Sequence, residues 1–222
     1  EVKEDAPPEE RIVFPRYHQL EAVRKLTSAT KQTGTGENYL IEHSTGSGKS
    51  MTIAWLAYKL FSLHDENDKA VFDNVLVLSD RIVLVNQLGD TVKQFEKTEG
   101  VVKKVDTSAE LANILENYKK IVISTQQKFP FAAEKISQIR GKNFAVIIDE
   151  AHSSQQGDSA DMVREVLNNS AQVERESKAE DARKDIVDRI EEKMKSRQPS
   201  ENLSYYAFTA TPKEKTLRLF GK

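Results

Sequence analysis

Residues 39–57 read YLIEHSTGSGKSMTIAWLA: a short apolar run, a loop with two glycines, then a run with helical apolar spacing. Residues 39–42 (YLIE) read as a strand and 49–63 as a helix, so the loop joins the end of one to the start of the other. Gly46 and Gly48 let the backbone curl until successive N–H groups point inward, and the new helix adds its positive end. Such a nest takes phosphate oxygens. Lys49 then has the reach to meet β and γ phosphates, and the Ser50 hydroxyl can ligate Mg²⁺. The general pattern for such loops, G-x-x-x-x-G-K-[ST], has glycine where this chain has His43, so only the tail G-x-G-K-S matches. His43 reads as a structural residue at the strand end and Trp55 as core.

Working outward, further short apolar runs at 75–79 (VLVLS), 101–105 (VVKKV), 121–125 (IVIST), 144–148 (FAVII) and 205–209 (YYAFT) read as strands. Amphipathic stretches at 81–97, 108–118, 131–139 and 158–169 read as helices between them. This alternation predicts the α/β class, a mostly parallel sheet covered by helices on both faces. Residues 1–11 are acidic and proline-bearing and read as a linker or frayed end, which with Glu1 in place of Met suggests an excised piece of a longer chain. The single domain then covers 12–222. Within it, residues 172–198 carry dense charge of mixed sign, and Ile186, Ile190 and Met194 recur every four residues, which fits a solvated helical insertion with one thin apolar stripe.

Composition bounds the function. With 38% hydrophobic residues among 222, there is material for one substantial core. The 33 basic and 35 acidic residues leave a net charge of −2, so a nucleic-acid role has to come from local residues. No apolar run approaches the roughly 18 residues of a membrane span, and no signal pattern opens the chain, so a cytoplasmic protein is expected. The absence of cysteine excludes disulfides, a thiol nucleophile and Cys-ligated metal.

The apolar run 144–148 ends in Asp149-Glu150-Ala151-His152, which delivers two acids to the carboxyl end of a strand, where open α/β sheets bind ligands. Asp149 is placed to hold Mg²⁺ opposite Ser50, and Glu150 to accept a proton from water attacking the γ-phosphate.

Residues 44–50, 149–152 and 209–212 (TATP), in that order and each at a strand end, resemble motifs I, II and III of superfamily 2 helicases and translocases. Residues 14–20 (FPRYHQL), 43–50 (HSTGSGKS) and 203–213 (LSYYAFTATPK) narrow the resemblance to the motor, or R, subunit of type I restriction–modification enzymes. The resemblance implies a RecA-like P-loop NTPase fold, the first of two motor domains, with ATP and Mg²⁺ as cofactors. It implies that Gln19 reads the adenine edge, with Arg16 or Tyr17 stacked on the ring, and that Thr45, Gly46, Ser47, Gly48, Lys49, Ser50 and Met51 bind the phosphates. Lys49, Asp149 and Glu150 become the catalytic set, and Ser50 and Asp149 the Mg²⁺ ligands. Residues 77–81 resemble motif Ia and 124–127 motif Ib, which implies DNA contacts from Arg81, Thr125 and Gln126, with Lys128 a further cation. Thr209 and Thr211 are expected to sense His152 and couple nucleotide state to strand grip. The implied partners are double-stranded DNA, the methyltransferase and specificity subunits, and a second motor domain carrying an arginine finger that this chain lacks. No spaced Asp…Glu-x-Lys nuclease cluster precedes Phe14, so the chain itself is not expected to cut DNA. Another DEAH-box DNA or RNA helicase remains an alternative, as does a regulatory ATP-binding module that docks through residues 172–198.

Overall fold

In the computed structural model, which describes residues 14–80, 82–95, 99–128, 136, 139, 141–151 and 202–221, six strands form one sheet and every pairing is parallel. They are β1 (Asn38–Glu42), β2 (Asn74–Ser79), β3 (Val102–Lys104), β4 (Ile121–Thr125), β5 (Phe144–Ile148) and β6 (Leu203–Thr209), in spatial order β1-β6-β5-β2-β4-β3. The described helices are α1 (Tyr17–Thr33), α2 (Lys49–Phe61), α3 (Ile82–Lys93), α4 (Ser108–Asn117) and α5 (Glu214–Phe220). None is long and apolar enough to cross a membrane.

Every residue of β2, β4, β5 and β6 is buried, as expected of parallel strands covered on both faces. Alternate side chains serve two cores. Val75, Val77, Ile123, Ile147 and Phe208 meet Ile53, Leu56 and Leu60 of α2 and Leu88 of α3. Leu76, Leu78, Val146, Ile148 and Ala207 meet Leu111 and Leu115 of α4 and Phe220 of α5 on the other face. Full burial of each such large side chain contributes about 1.5–3 kcal/mol. Among the polar side chains buried between these elements, Tyr206 and Thr30 share a 2.7 Å hydroxyl bond between β6 and α1, and Asn74 accepts from Lys120 N at 2.9 Å.

The expected α/β architecture is observed, with local differences. Helix α1 was not read from the sequence, because its apolar positions are sparse; Val23, Leu26 and Thr30 are nonetheless buried against the sheet and α2. Helix α5 was also missed. The strand expected at 101–105 shortens to Val102–Lys104 at the sheet edge, and β6 starts two residues early, at Leu203. Of the expected helix at 131–139 only Ile136 and Ile139 are described. The helix at 158–169, the charged segment 172–198 and the start 1–11 lie outside the described residues.

Candidate active site

Parallel pairing brings every strand's carboxyl end to one edge of the sheet, and the order along it is β1, β6, β5, β2, β4, β3. The loop after β1 thus neighbours residues 209–211, which neighbour Asp149-Glu150. His43 N donates to Thr209 O at 2.9 Å and carries the β1–β6 pairing one residue further. The chain then turns through Gly46 (φ 75°) and Gly48 (φ 85°), both left-handed. Gly48 O receives Met51 N and Thr52 N and starts α2, so Lys49, Ser50 and Met51 form its first turn.

His43 braces this loop. Ser47 Oγ lies 2.5 Å from both Ser44 O and His43 Nδ1. A hydroxyl has one proton; given to the Ser44 carbonyl, it leaves Ser47 to accept from His43, which assigns the ring proton to Nδ1. His43 Nε2 is buried with no hydrogen-bond partner among the described residues. Burial, then the neighbouring His18 and Lys49, push the ring's pKa down and favour the neutral form. A histidine where the general loop pattern has glycine is therefore a side-chain prop, as its sequence position suggested.

From the other side, Gln19 Nε2 donates to Gly48 O at 3.0 Å and Ser47 O at 3.3 Å, while its Oε1 accepts from Arg16 N at 2.8 Å. His18 Nε2 lies 3.1 Å from Ser47 O. Gln19 is buried, and both ends of the amide expected to read an adenine edge are committed to backbone, tying α1 to the loop. Arg16 and Tyr17 are exposed at the start of α1.

Asp149 N donates to Leu78 O and Ala151 N to Phe208 O, both at 2.8 Å, so the peptide is pinned to β2 on one side and β6 on the other. Between them Glu150 is left-handed, at φ 55°, a conformation that costs a residue with a Cβ roughly 1–3 kcal/mol. Strand geometry would send consecutive side chains to opposite faces; with this turn, both carboxylates reach the Lys49 ammonium. Glu150 Oε1 is hydrogen-bonded to it and Asp149 Oδ1 lies 3.9 Å away. Burial pushes the Asp149 pKa up to about 6, with Lys49 opposing and Glu150 and Asp80 adding to the rise.

These residues fit a divalent cation shared with phosphate. Asp149 Oδ1 is buried without a hydrogen-bond partner among the described residues, and its raised pKa is what a nearby cation would relieve. Among the described residues no cluster of three or more His, Cys, Asp or Glu could hold a metal unaided. A cation here needs outside oxygens, as Mg²⁺ in phosphate sites does.

At the β2–β4 end of the edge the structure departs from expectation. Thr125 and Gln126, expected to touch DNA, are only 5% and 9% exposed. The chain turns inward after β4, and Gln126 Nε2 donates to Asp149 O at 2.7 Å; Gln127, the next residue, is exposed. Arg81 and His152 lie outside the described residues. Thr209 is fully buried and its Oγ1 accepts from Thr211 N at 3.2 Å, while Thr211 is exposed. Thr216 Oγ1 of α5 donates to Ala151 O at 3.1 Å. No local pattern marks Gln126 or Thr216 for these bonds, because each partner is distant in sequence.

A glycine loop between a strand and a helix, set beside paired acids at the carboxyl edge of a parallel sheet, defines the RecA-like class of P-loop NTPases, and this sheet is of that class. A profile of the SWI2/SNF2 ATPase family matches residues 18–174, and the chain belongs to that family. It is 34% identical over 159 residues to a type I restriction enzyme endonuclease subunit of Staphylococcus saprophyticus, a match covering 69% of this chain and 16% of the relative. A subunit of the same description from Staphylococcus aureus strain MSSA476 is 31% identical over 159 residues, with the same coverage. A putative one from Methanocaldococcus jannaschii is 25% identical over 179 residues, covering 71% of this chain and 17% of the relative. The chain thus spans about a sixth of the length of these relatives. Among solved structures, the Hef helicase domain of Pyrococcus furiosus superposes with a TM-score of 0.53 at 17% identity, over 91% of this chain and 35% of that one. A nuclease-deletion mutant of the type ISP restriction–modification enzyme LlaGI, in complex with a DNA substrate mimic, gives 0.51 at 18% identity, over 89% and 17%. These two likenesses establish the fold; the family makes the chain a helicase-like ATPase domain.

Proposed function

We propose that residues 12–222 form the ATP-binding first motor domain of the DNA-translocating subunit of a type I restriction enzyme. The observation that carries this reading is the convergence of Lys49, Asp149 and Glu150, from residues 100 and 101 apart, at the end of the glycine loop. The names of the relatives, all endonuclease subunits of such enzymes, support the assignment to that assembly.

On this reading, the γ-phosphate of ATP competes with Asp149 and Glu150 for the Lys49 ammonium. Lys49 swings to the β and γ phosphates, and residues 45–51 surround them with loop and helix N–H groups. Freed from Lys49, Glu150 is the base that takes a proton from the attacking water. Ser50 and Asp149 would hold Mg²⁺, which when bound neutralises charge on the phosphates. Gln19 keeps α1, with Arg16 and Tyr17 beside it, in register with the loop. Thr209 and Thr211 relay the state of the site through His152. The transition-state cation comes from an arginine finger on a second motor domain, a contribution of roughly 10³–10⁵ in rate. Duplex DNA is gripped through backbone N–H groups, hydroxyls and few cations, Arg81 and Lys128 among them, which suits a net charge of −2. Translocation is coupled to cleavage in the complete enzyme, alongside methyltransferase and specificity subunits.

The test is ATP hydrolysis and nucleotide binding by the purified chain, with and without duplex DNA, for wild type and Lys49→Ala. The expected result is nucleotide binding by wild type only, no appreciable turnover by either, and DNA-stimulated turnover by the full-length subunit. Robust DNA-stimulated turnover by this chain alone would refute the shared site, and stimulation of the full-length subunit by RNA in preference to duplex DNA would point to another kind of motor.

A further inference from the structure

Gln126 opens the 3₁₀ turn (Gln126–Lys128) after β4, and its side chain ends on Asp149, the residue after β5, two strands away. Ser79 pairs with Thr125 and Leu78 with Ile148, so β4 and β2 finish level and β5 one residue short of them, with Asp149 next in the chain. Neighbouring strands lie about 4.8 Å apart, which puts β4 and β5 about 10 Å apart here. The Gln126 side chain closes that gap. Its 2.7 Å bond to Asp149 O is buried and joins residues 23 apart in sequence, across the end of β2. There the buried Ser79 hydroxyl has no hydrogen-bond partner among the described residues, so Gln126 supplies the polar link over this strand end.

The accepting carbonyl matters because of where it sits. It belongs to the peptide that leads into the left-handed Glu150, between the pinned N–H groups of Asp149 and Ala151. Rotation of that peptide would turn Glu150 away from Lys49 and restore the strand's alternation. A buried amide donating to this carbonyl opposes the rotation. We propose that Gln126 is a positioning residue: its amide holds the Asp149–Glu150 peptide so that both carboxylates face Lys49, and it makes the turn after β4 mechanically continuous with the nucleotide site. This rests on the nucleotide-site reading above, and it replaces direct DNA contact as the role of Gln126.

The test uses the full-length subunit with Gln126→Glu, which keeps the shape but has no N–H to donate at neutral pH, and Gln126→Leu, which removes the polar group. Five quantities are measured: turnover at saturating ATP and duplex DNA, nucleotide Kd, DNA Kd, Tm, and hydrogen exchange of the peptide covering residues 148–151. Turnover is expected to fall about tenfold or more, with both Kd values within about threefold of wild type, and residues 149–151 to exchange faster at unchanged Tm. A tenfold loss of DNA affinity with turnover intact at saturating DNA would make Gln126 a DNA contact and overturn the proposal. So would unchanged exchange and turnover, or a joint fall of Tm, nucleotide affinity and turnover in both variants, which is general structural damage. Failure of the underlying reading looks different: wild-type turnover would be absent or would survive Lys49→Ala, and the exchange of residues 149–151 in the Gln126 variants would still decide whether the bond orders that turn.

Discussion

Asp149→Asn tests whether the site holds a carboxylate against the stability of the fold. Asp149 is 7% exposed, and burial outweighs Lys49 so that its pKa rises from 3.8 to about 6. The folded value lies above the unfolded one, so the native state holds this proton more tightly. The resulting stabilisation is fully present below about pH 3.8 and is lost as pH rises through about 6. At 1.36 kcal/mol per pKa unit, the ionised form is less stable in the fold by roughly 3 kcal/mol. This figure already contains the attraction of Lys49. Asparagine has nearly the same shape and no charge, so the variant escapes the loss. At 2–4 °C per kcal/mol for a chain of this size, its Tm should exceed that of wild type by roughly 6–12 °C at pH 7.5 in chelator. The gap should shrink to roughly 1 kcal/mol at about pH 4.5 and close below about pH 3.8, and Mg²⁺ with nucleotide should narrow it at pH 7.5 by stabilising wild type alone. Thermal unfolding across this pH range reads all three. Equal stability at pH 7.5, or a gap indifferent to acid, would refute the reasoning.

Two further substitutions probe the supports of the site. A Cβ on Gly48 would fall on Nε2 of Gln19 and would sit on a left-handed backbone, so Gly48→Ala should cost roughly 1–3 kcal/mol. In a Gln19→Ala background the cost should drop toward the backbone share of about 1 kcal/mol; strict additivity in the double-mutant cycle would show that the two residues do not press on each other. Thr216→Val removes the buried donor to Ala151 O and should cost roughly 1–3 kcal/mol in denaturant unfolding, whereas Thr216→Ser should restore most of it.

Strands β4 and β5 were legible to the residue, because each is a short, mostly apolar and β-branched run between polar residues, as a strand buried on both faces requires. The glycine loop was legible for the same local reason: two glycines, a lysine and a serine in fixed order set backbone curvature and charge within eight residues. Helix α1 was not, since its periodicity is thin and its burial is set by α2 and the sheet. The reading of Thr125 and Gln126 as DNA contacts rested on the resemblance of residues 124–127 to a motif, which says nothing of burial, and the fold buries both side chains.

The sequence by itself therefore placed the residues proposed to carry the chemistry: Lys49 and Ser50 on their loop, Asp149 and Glu150 at a strand end, each located by periodicity and turn residues within a few positions. The tertiary structure alone decided how they are held. The order of strands sets the loop and the acids nearly side by side, and the left-handed turn at Glu150 aims both carboxylates at Lys49. Gln19, Gln126 and Thr216 fasten the loop and the acidic turn through bonds spanning 29, 23 and 65 residues. Local sequence fixes local geometry, whereas a hydrogen bond across such separations exists only once the sheet has closed the distance.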